Sequence, residues 1–435
     1  MIEIVRNYHL LYKCTKDILS VIKPTEEDRN KRLGAIEEIV NSIRLVDALT
    51  GAAVIPFGSF ASNLYAKSGD LDVSVEPLKP FRKRGRKKNG ALREVRKALQ
   101  IKGVSSDVQY IPTARVPVLK YVSNHFGISC DISINNCPGR IKSRVLYWIN
   151  TLDPRFRDMV LLVKEWAKAQ NINDPRNGTM NSYTLCLLVI FHFQTSKPAI
   201  FPPMKEIYDV NMNIANGTGG FNEEHLDQMC MENIAKFRRR DTGQRYQTSL
   251  SLSYLLADFF DKFCGIATGG FHYDTYTGQL NQSQGDMYRM LTVEDPFARY
   301  DDAARTVDVP GLFRIANAFR HARDPHNPAP PSSSRVATAA APRPARGRAW
   351  SASPARPLSA RGHRGGAASC ARPPRVVTAS TAAAPRPSGR LPRVVAVSSA
   401  GGGVVARGEA DEVASAPPSS HPHPWRGGVA RRRPR

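Results

Sequence analysis

Seven cysteines are scattered over 435 residues without a single Cys-x-x-Cys pair, which argues against a disulfide framework and a cysteine zinc site and fits a reducing compartment. Long apolar runs are missing too. The oiliest stretch, Tyr183 to Phe193, has eleven residues, short of the ~18 a membrane span needs. Met1 to Cys14 carries Glu3, Arg6 and Lys13 and has no signal-peptide layout. These absences predict a soluble protein of the cytoplasm, the nucleus or both, with no membrane partner. From Asn327 onward Lys, Ile, Phe, Tyr, Met and Gln disappear, while Ala, Pro, Arg, Gly and Ser dominate. Such a segment cannot bury enough apolar surface to offset chain entropy, so 326–435 is expected to be a disordered tail. Its eighteen arginines against Glu409, Asp411 and Glu412 account for +15 of the formal +24, which leaves +9 on the rest. Arg-Gly runs such as Arg364-Gly365-Gly366 would attract RNA without reading its sequence.

What is present is carboxylate chemistry on strands. In Gly69-Asp70-Leu71-Asp72-Val73-Ser74-Val75 polar and apolar residues alternate, so a strand puts Asp70, Asp72 and Ser74 on one face and Leu71, Val73 and Val75 on the other. Ile128 to Ile134 repeats the pattern, with Asp131 opposite Ile128, Cys130, Ile132 and Ile134. If the two strands are neighbours, three carboxylates converge. Their mutual repulsion calls for cations, and hard oxygen donors favour Mg2+ or Mn2+ over Zn2+. An isolated Asp-x-Asp is more often a solvated edge or a turn. Here, however, Gly58-Ser59 follows the apolar run Ala52 to Ile55, where a glycine lets backbone and hydroxyl groups approach phosphate oxygens closely. The ordered set of Gly-Ser, Asp-x-Asp and a third strand-borne Asp is a nucleotidyltransferase signature.

With Pro56-Phe57-Gly58-Ser59-Phe60, Gly69-Asp70-Leu71-Asp72, Ile128-Ser129-Cys130-Asp131-Ile132-Ser133, Arg157 to Lys168, Asn181-Ser182-Tyr183 and Val293-Glu294-Asp295-Pro296-Phe297, the chain resembles the non-canonical poly(A) polymerases and terminal uridylyltransferases of the DNA polymerase β-like superfamily. Among these it resembles the plant enzymes that add uridines to the 3′ ends of small RNAs. The resemblance runs from about Ile18 to about Phe319. It implies Asp70, Asp72 and Asp131 as catalytic metal ligands, and Gly58, Ser59, Lys164, Lys168, Ser182, Tyr183 and Asp295 as nucleotide-binding residues. Lys164 and Lys168 would hold the triphosphate, Ser182 would cap its helix and reach a phosphate, Tyr183 would stack on the base, and Asp295 would accept from the base edge. It also implies UTP (or ATP) and an RNA 3′ end as substrates, RNA-silencing or decay proteins as partners, and a monomer. Three positions depart from the pattern: Asp301 stands where some uridylyltransferases place a base-reading histidine, Ala298 where an acidic residue often follows the Phe, and Lys142 where many relatives have an asparagine at the ribose. A poly(A)-adding enzyme and a catalytically inactive RNA-binding protein are the rival readings.

Helical spacing at Leu33, Ile36, Ile39, Val40 and Ile43, helical character over 91–101, strand-like pieces at Val108–Ile111 and Val116–Val122 and a helix-rich stretch from Lys142 to Phe193 predict an α/β + α architecture. Residues 46–141 would form a nucleotidyltransferase domain with a mixed sheet. Residues 142–325 would form a helical, poly(A)-polymerase-like central domain with a nucleotide-recognition loop at about 290–310, and 1–45 would pack on it. The basic run Lys79 to Lys97 reads equally as an import signal, an RNA guide or a solvated face. Asn216 to Gly220 reads as a loop and not a phosphate cradle, because no strand-to-helix context surrounds it.

Overall fold

The alternating aspartate segments are strands β2 (Leu71–Glu76) and β5 (Ser129–Ile134), which pair in parallel with Asp72 opposite Asp131. This is a computed structural model that describes residues 2–78, 84–209, 223–240, 250–268, 270–282, 291–324 and 395–396. Around the central pair lie β1 (Ala53–Phe57), antiparallel to β2, and β4 (Val118–Val122), antiparallel to β5, with β3 (Gln109–Ile111) beyond β4. Residues 395–396 add a two-residue antiparallel strand at the β1 edge. One face of this mixed sheet buries Leu71, Val73, Val75, Cys130, Ile132 and Ile134 beneath α2 (Glu26–Ile43) and α4 (Arg84–Ile101). The period-2 pattern therefore leaves Asp72 and Asp131 on the opposite face.

That face meets a helical layer. It consists of α5 (Cys137–Asn150), α6 (Pro154–Ala169), α7 (Ser182–Thr195), α8 (Glu223–Arg240), α9 (Leu252–Phe263) and α10 (Val309–Arg323). Helix α7 is buried without a break from Thr184 to Gln194, as a helix enclosed on all sides must be. The first helix, α1 (Ile2–Ile22), packs on α6 and α9. Its Leu19 enters the helical core and Lys23 bridges Asp158 at 2.8 Å.

The structure corrects one boundary and adds one sheet. Ala35, Ile36, Ile39, Val40 and Ile43 of α2 belong to the core of the sheet layer, so 1–45 is not one unit: α1 goes with the helices and α2 with the sheet. Helical periodicity shows that α2 has an apolar face, but not which layer covers it. The helical half also holds a small sheet, β6 (Phe271–Asp274) between β7 (Gln279–Gln282) and β8 (Leu291–Val293). Strands of three or four residues carry too little alternation to be read from sequence. Residues 79–83 of the basic run, Asn216 to Gly220 and all of the tail except 395–396 lie outside the described residues.

Candidate active site

Strand β1 ends in a one-turn helix, α3 (Gly58–Ala61), against the carboxylate face. Gly58 has φ +68°, and a Cβ there would overlap Asp72 Oδ2, so the glycine is required by the closeness of the carboxylate as well as by the turn. Its N–H donates to Ser143 Oγ at 2.6 Å. The Gly58 amide is thus engaged with α5 and not directed at a phosphate, while Ser59 lines the cleft.

That cleft, about 510 Å3, brings together Ser59, Asp70, Asp72, Lys142, Lys164, Lys168, Ser182 and Tyr183. Lys164 and Lys168 of α6 face the carboxylates across it. The apolar side of that helix buries Met159, Leu162 and Val163. Lys164 Nζ donates to the Leu64 carbonyl at 3.0 Å, and burial holds its pKa below the usual lysine range. Lys168 is exposed, with Glu165 at 3.5 Å. Ser182 does not cap α7: Asn181 does, accepting from the Thr184 N–H at 2.8 Å. Asn181 is the last residue with extended backbone, so its side chain is the one that reaches forward to the first turn. That leaves the Ser182 hydroxyl at the cleft surface, within 3.1 Å of Asn173 Nδ2.

Asp70 immediately precedes β2, Asp72 lies within it, and Asp131 stands one strand over. Burial, then the charges of Asp131 and Asp70, push the Asp72 carboxyl up to about 7. Burial also raises Asp131, against the opposing pull of Lys120. Lys120 faces Asp131 across the β4–β5 ladder and holds its Oδ2 at 2.7 Å, while Oδ1 is buried with no hydrogen-bond partner. Among the described residues no three carboxylate, imidazole or thiol groups gather around one point. The donor set still fits a hard divalent cation: three carboxylates, one at half charge near neutrality, and one orphaned buried oxygen. Lys120 was not singled out from the sequence, although Leu119-Lys120-Tyr121 alternates and its register opposite Asp131 follows once β4 is paired with β5.

Asp295 does not offer its oxygens to the cleft. It is 2% exposed, accepts from the Tyr183 hydroxyl at 2.9 Å and the Phe297 N–H at 3.1 Å on Oδ1, and pairs through Oδ2 with Lys142. Lys142 Nζ lies 4.6 Å from the Tyr183 ring centroid. Burial, then the neighbouring Asp295, raises the Tyr183 hydroxyl far above its ordinary pKa, so it remains a donor. Asp295 therefore fixes Tyr183 and Lys142, and Lys142 lines both the cleft and the neighbouring cavity. Outside the cleft, Arg32 of α2 is fully buried and donates to the Lys67 carbonyl at 3.0 Å and the Gly69 carbonyl at 2.6 Å, the latter one residue before Asp70. Besides the Asp28 carbonyl one turn back, at 2.9 Å, its partners are backbone atoms more than thirty residues away, and no motif announces them.

Residues 11–151 match the family described as Poly(A) RNA polymerase, mitochondrial-like, central palm domain. The chain is similar to Protein HESO1 of Arabidopsis thaliana, 44% identical over 316 residues, 70% of this chain and 61% of that one. It is also similar to terminal uridylyltransferase cid1 of Schizosaccharomyces pombe, 28% identical over 363 residues, 73% of this chain and 82% of that one. It spans about three fifths of the length of HESO1 and of the fission-yeast poly(A) RNA polymerase cid11. Among solved structures, Cid1 poly(U) polymerase with MgGTP superposes with TM-score 0.58 at 25% identity, covering 74% of this chain and 95% of that one. The structure of mtPAP with ATPγS, at 20% identity and TM-score 0.59, covers 72% of this chain and 67% of that one and shares the fold. In this chain two in-register aspartates behind a Gly-Ser turn are closed by a helical layer, and the chain is similar over most of its length to relatives named as poly(A) RNA polymerases and terminal uridylyltransferases.

Proposed function

We propose that this protein adds uridines to RNA 3′ ends without a template (UTP + RNA → RNA-U + pyrophosphate), on small RNAs or decay intermediates that it thereby marks for degradation. The observation that carries the proposal is that Asp70 and Asp72 share one cleft with Ser59, Lys164, Lys168 and Ser182, while Asp131 stands in register beside Asp72 on the neighbouring strand. Asp70, Asp72 and Asp131 would hold Mg2+ or Mn2+, which when bound neutralises phosphate charge and lowers the pKa of the RNA 3′-hydroxyl. The 3′-oxygen attacks the α-phosphorus, the bond to the β-phosphate breaks, and pyrophosphate leaves. Lys164 and Lys168 take up the charge that develops on the departing phosphates, and the Ser59 and Ser182 hydroxyls orient them, so catalysis is mainly positioning and electrostatics. Tyr183, held by Asp295, offers its ring to the base. The name of cid1 and the UTP selectivity in the Cid1 structure's description support uridine as the base. A monomer of the cytoplasm or nucleus, recruited by silencing or decay proteins, completes the proposal.

The test incubates the protein with a labelled short RNA, Mg2+ or Mn2+ and each nucleoside triphosphate separately, and resolves the products by length. A ladder with UTP, abolished by Asp131→Ala in a variant that keeps its melting temperature, is the expected result. A ladder with ATP alone would move the chain to the poly(A)-adding enzymes, and no ladder from folded protein would make it an RNA-binding protein.

A further inference from the structure

Beside the catalytic cleft lies a larger cavity of about 920 Å3 that shares Gly139, Lys142 and Tyr183 with it and extends between the β3–β4 loop and the loop after β8. A base resting on Tyr183 faces into this space. A base that donates an N–H needs an acceptor there, and two carboxylates line the wall, Asp295 and Asp301. Asp295 is closed off by Tyr183, Phe297 and Lys142. Asp301 is accessible, its side chain 24% exposed. Its backbone is pinned on both sides, since Asp295 N–H donates to the Asp301 carbonyl at 2.9 Å and Asp301 N–H to the Ala298 carbonyl at 2.8 Å.

Asp301 also has a partner from the other half of the molecule. Arg115, in the β3–β4 loop, donates through Nη1 to Asp301 Oδ2 at 2.7 Å, and Arg305 Nη1 lies 3.6 Å from Oδ1. Burial would raise the Asp301 carboxyl, but the hydrogen bond and charge of Arg115, with Arg305 and Lys142, outweigh it and hold it below its ordinary value. Asp301 is therefore an ionised, acceptor-only group at neutral pH. The guanidinium beside it has five N–H donors and spends one on Oδ2. The wall thus presents an acceptor and a donor side by side.

We propose that Asp301 and Arg115 read the edge of the incoming base as an acceptor–donor pair that matches uracil. The inference rests on the uridylyl-transfer reading above. Uracil N3–H would donate to Asp301, and O4 would accept from Arg115. Cytosine reverses both, with an acceptor at N3 and a donor at N4, and adenine does the same with N1 and N6. Either base sets an acceptor against a carboxylate and a donor against a guanidinium, so the pair rejects as well as selects. Guanine has the uracil order at N1 and O6, and only its size opposes it. Arg115 comes from the sheet layer and Asp301 from the helical layer, so the reader is built from both halves of the molecule and is already assembled in this structure.

The test measures kcat/KM for UTP, CTP, ATP and GTP on one RNA primer with the full chain, Asp301→Asn and Arg115→Met, the melting temperature of each being recorded. An asparagine can turn its amide NH2 toward N3 of cytosine or N1 of adenine. Asp301→Asn is therefore expected to lower the UTP/CTP and UTP/ATP ratios at least tenfold. Arg115→Met is expected to lower UTP use about tenfold and ATP use much less, and Arg115 is exposed enough that this variant folds even where the aspartate variant does not. Wild type that prefers UTP, with both variants within twofold of its ratios, would reduce the pair to a structural bridge and leave uridylyl transfer standing. Wild type that prefers ATP would overturn both.

Discussion

At the scale of single residues the chemistry turns on Asp72. Its ordinary pKa is near 3.8, and burial with Asp131 and Asp70 raises it to about 7 in the fold. Between these values the unfolded chain has lost the proton and the folded chain still holds it. The metal-free fold therefore loses stability as pH rises from about 4 to about 7. A divalent cation reverses the preference, because it binds the ionised carboxylate and must displace that proton. Cation affinity is thus expected to fall by about tenfold per pH unit below 7 and to level off above it. Mn2+ titrations followed by melting temperature at pH 6, 7 and 8 check this. Asp72→Asn removes both behaviours, giving a metal-free protein about 1–2 kcal/mol more stable at pH 8, after allowance for partial solvent access, with no cation response. A cation response that persists unchanged in Asp72→Asn would remove Asp72 from the ligand set.

Among elements, α2 shows how a helix in one layer holds the catalytic turn. It opens on a capping box between Thr25 and Asp28 and carries Arg32 inward, where the guanidinium lies 4.8 Å from the Tyr65 ring centroid and ties down the carbonyls of Lys67 and Gly69. Removing it leaves those carbonyls without their charged donor. Arg32→Met is expected to cost about 2–4 kcal/mol in urea unfolding and to lower kcat roughly tenfold with little change in the KM for nucleotide, because Asp70 is loosened and the triphosphate lysines are not. Arg32→Lys should not rescue kcat, since an ammonium cannot span carbonyls placed for a planar fork. Full rescue by lysine would mean that only the charge matters. The same element marks the limit of sequence reading. The aspartate strands were legible because burial on one face imposes a period of two that survives in Leu71, Val73 and Val75. The pairing of Asp301 with Arg115, like that of Arg32 with Gly69, joins segments whose nearness no local period encodes. The Asn181 cap was hidden for a different reason: two adjacent residues, Asn181 and Ser182, are both good caps, and only the backbone shows where the helix begins.

For the whole molecule the uneven charge allows affinity and base choice to be separated. Residues 326–435 contribute +15 of the formal +24, from eighteen arginines against three acidic residues. The groups that face the nucleotide, from Ser59 to Arg305, all lie within 1–324. Arginines that neutralise phosphates release counterions, and for single strands each contact steepens the dependence of log K on log salt by about 0.7. Ending the chain at Asp324 is therefore expected to weaken binding of a 20-nucleotide RNA at low salt and to flatten the salt slope by about 2–4, as three to six lost contacts would. The UTP/ATP ratio should stay within twofold, because the residues that line the two cavities are all retained. Anisotropy titrations from 50 to 300 mM KCl, run beside single-nucleotide kinetics, measure the two quantities independently. An unchanged slope would show that the arginine-rich segment does not engage RNA, and a changed ratio would mean that part of it reaches the nucleotide cavity.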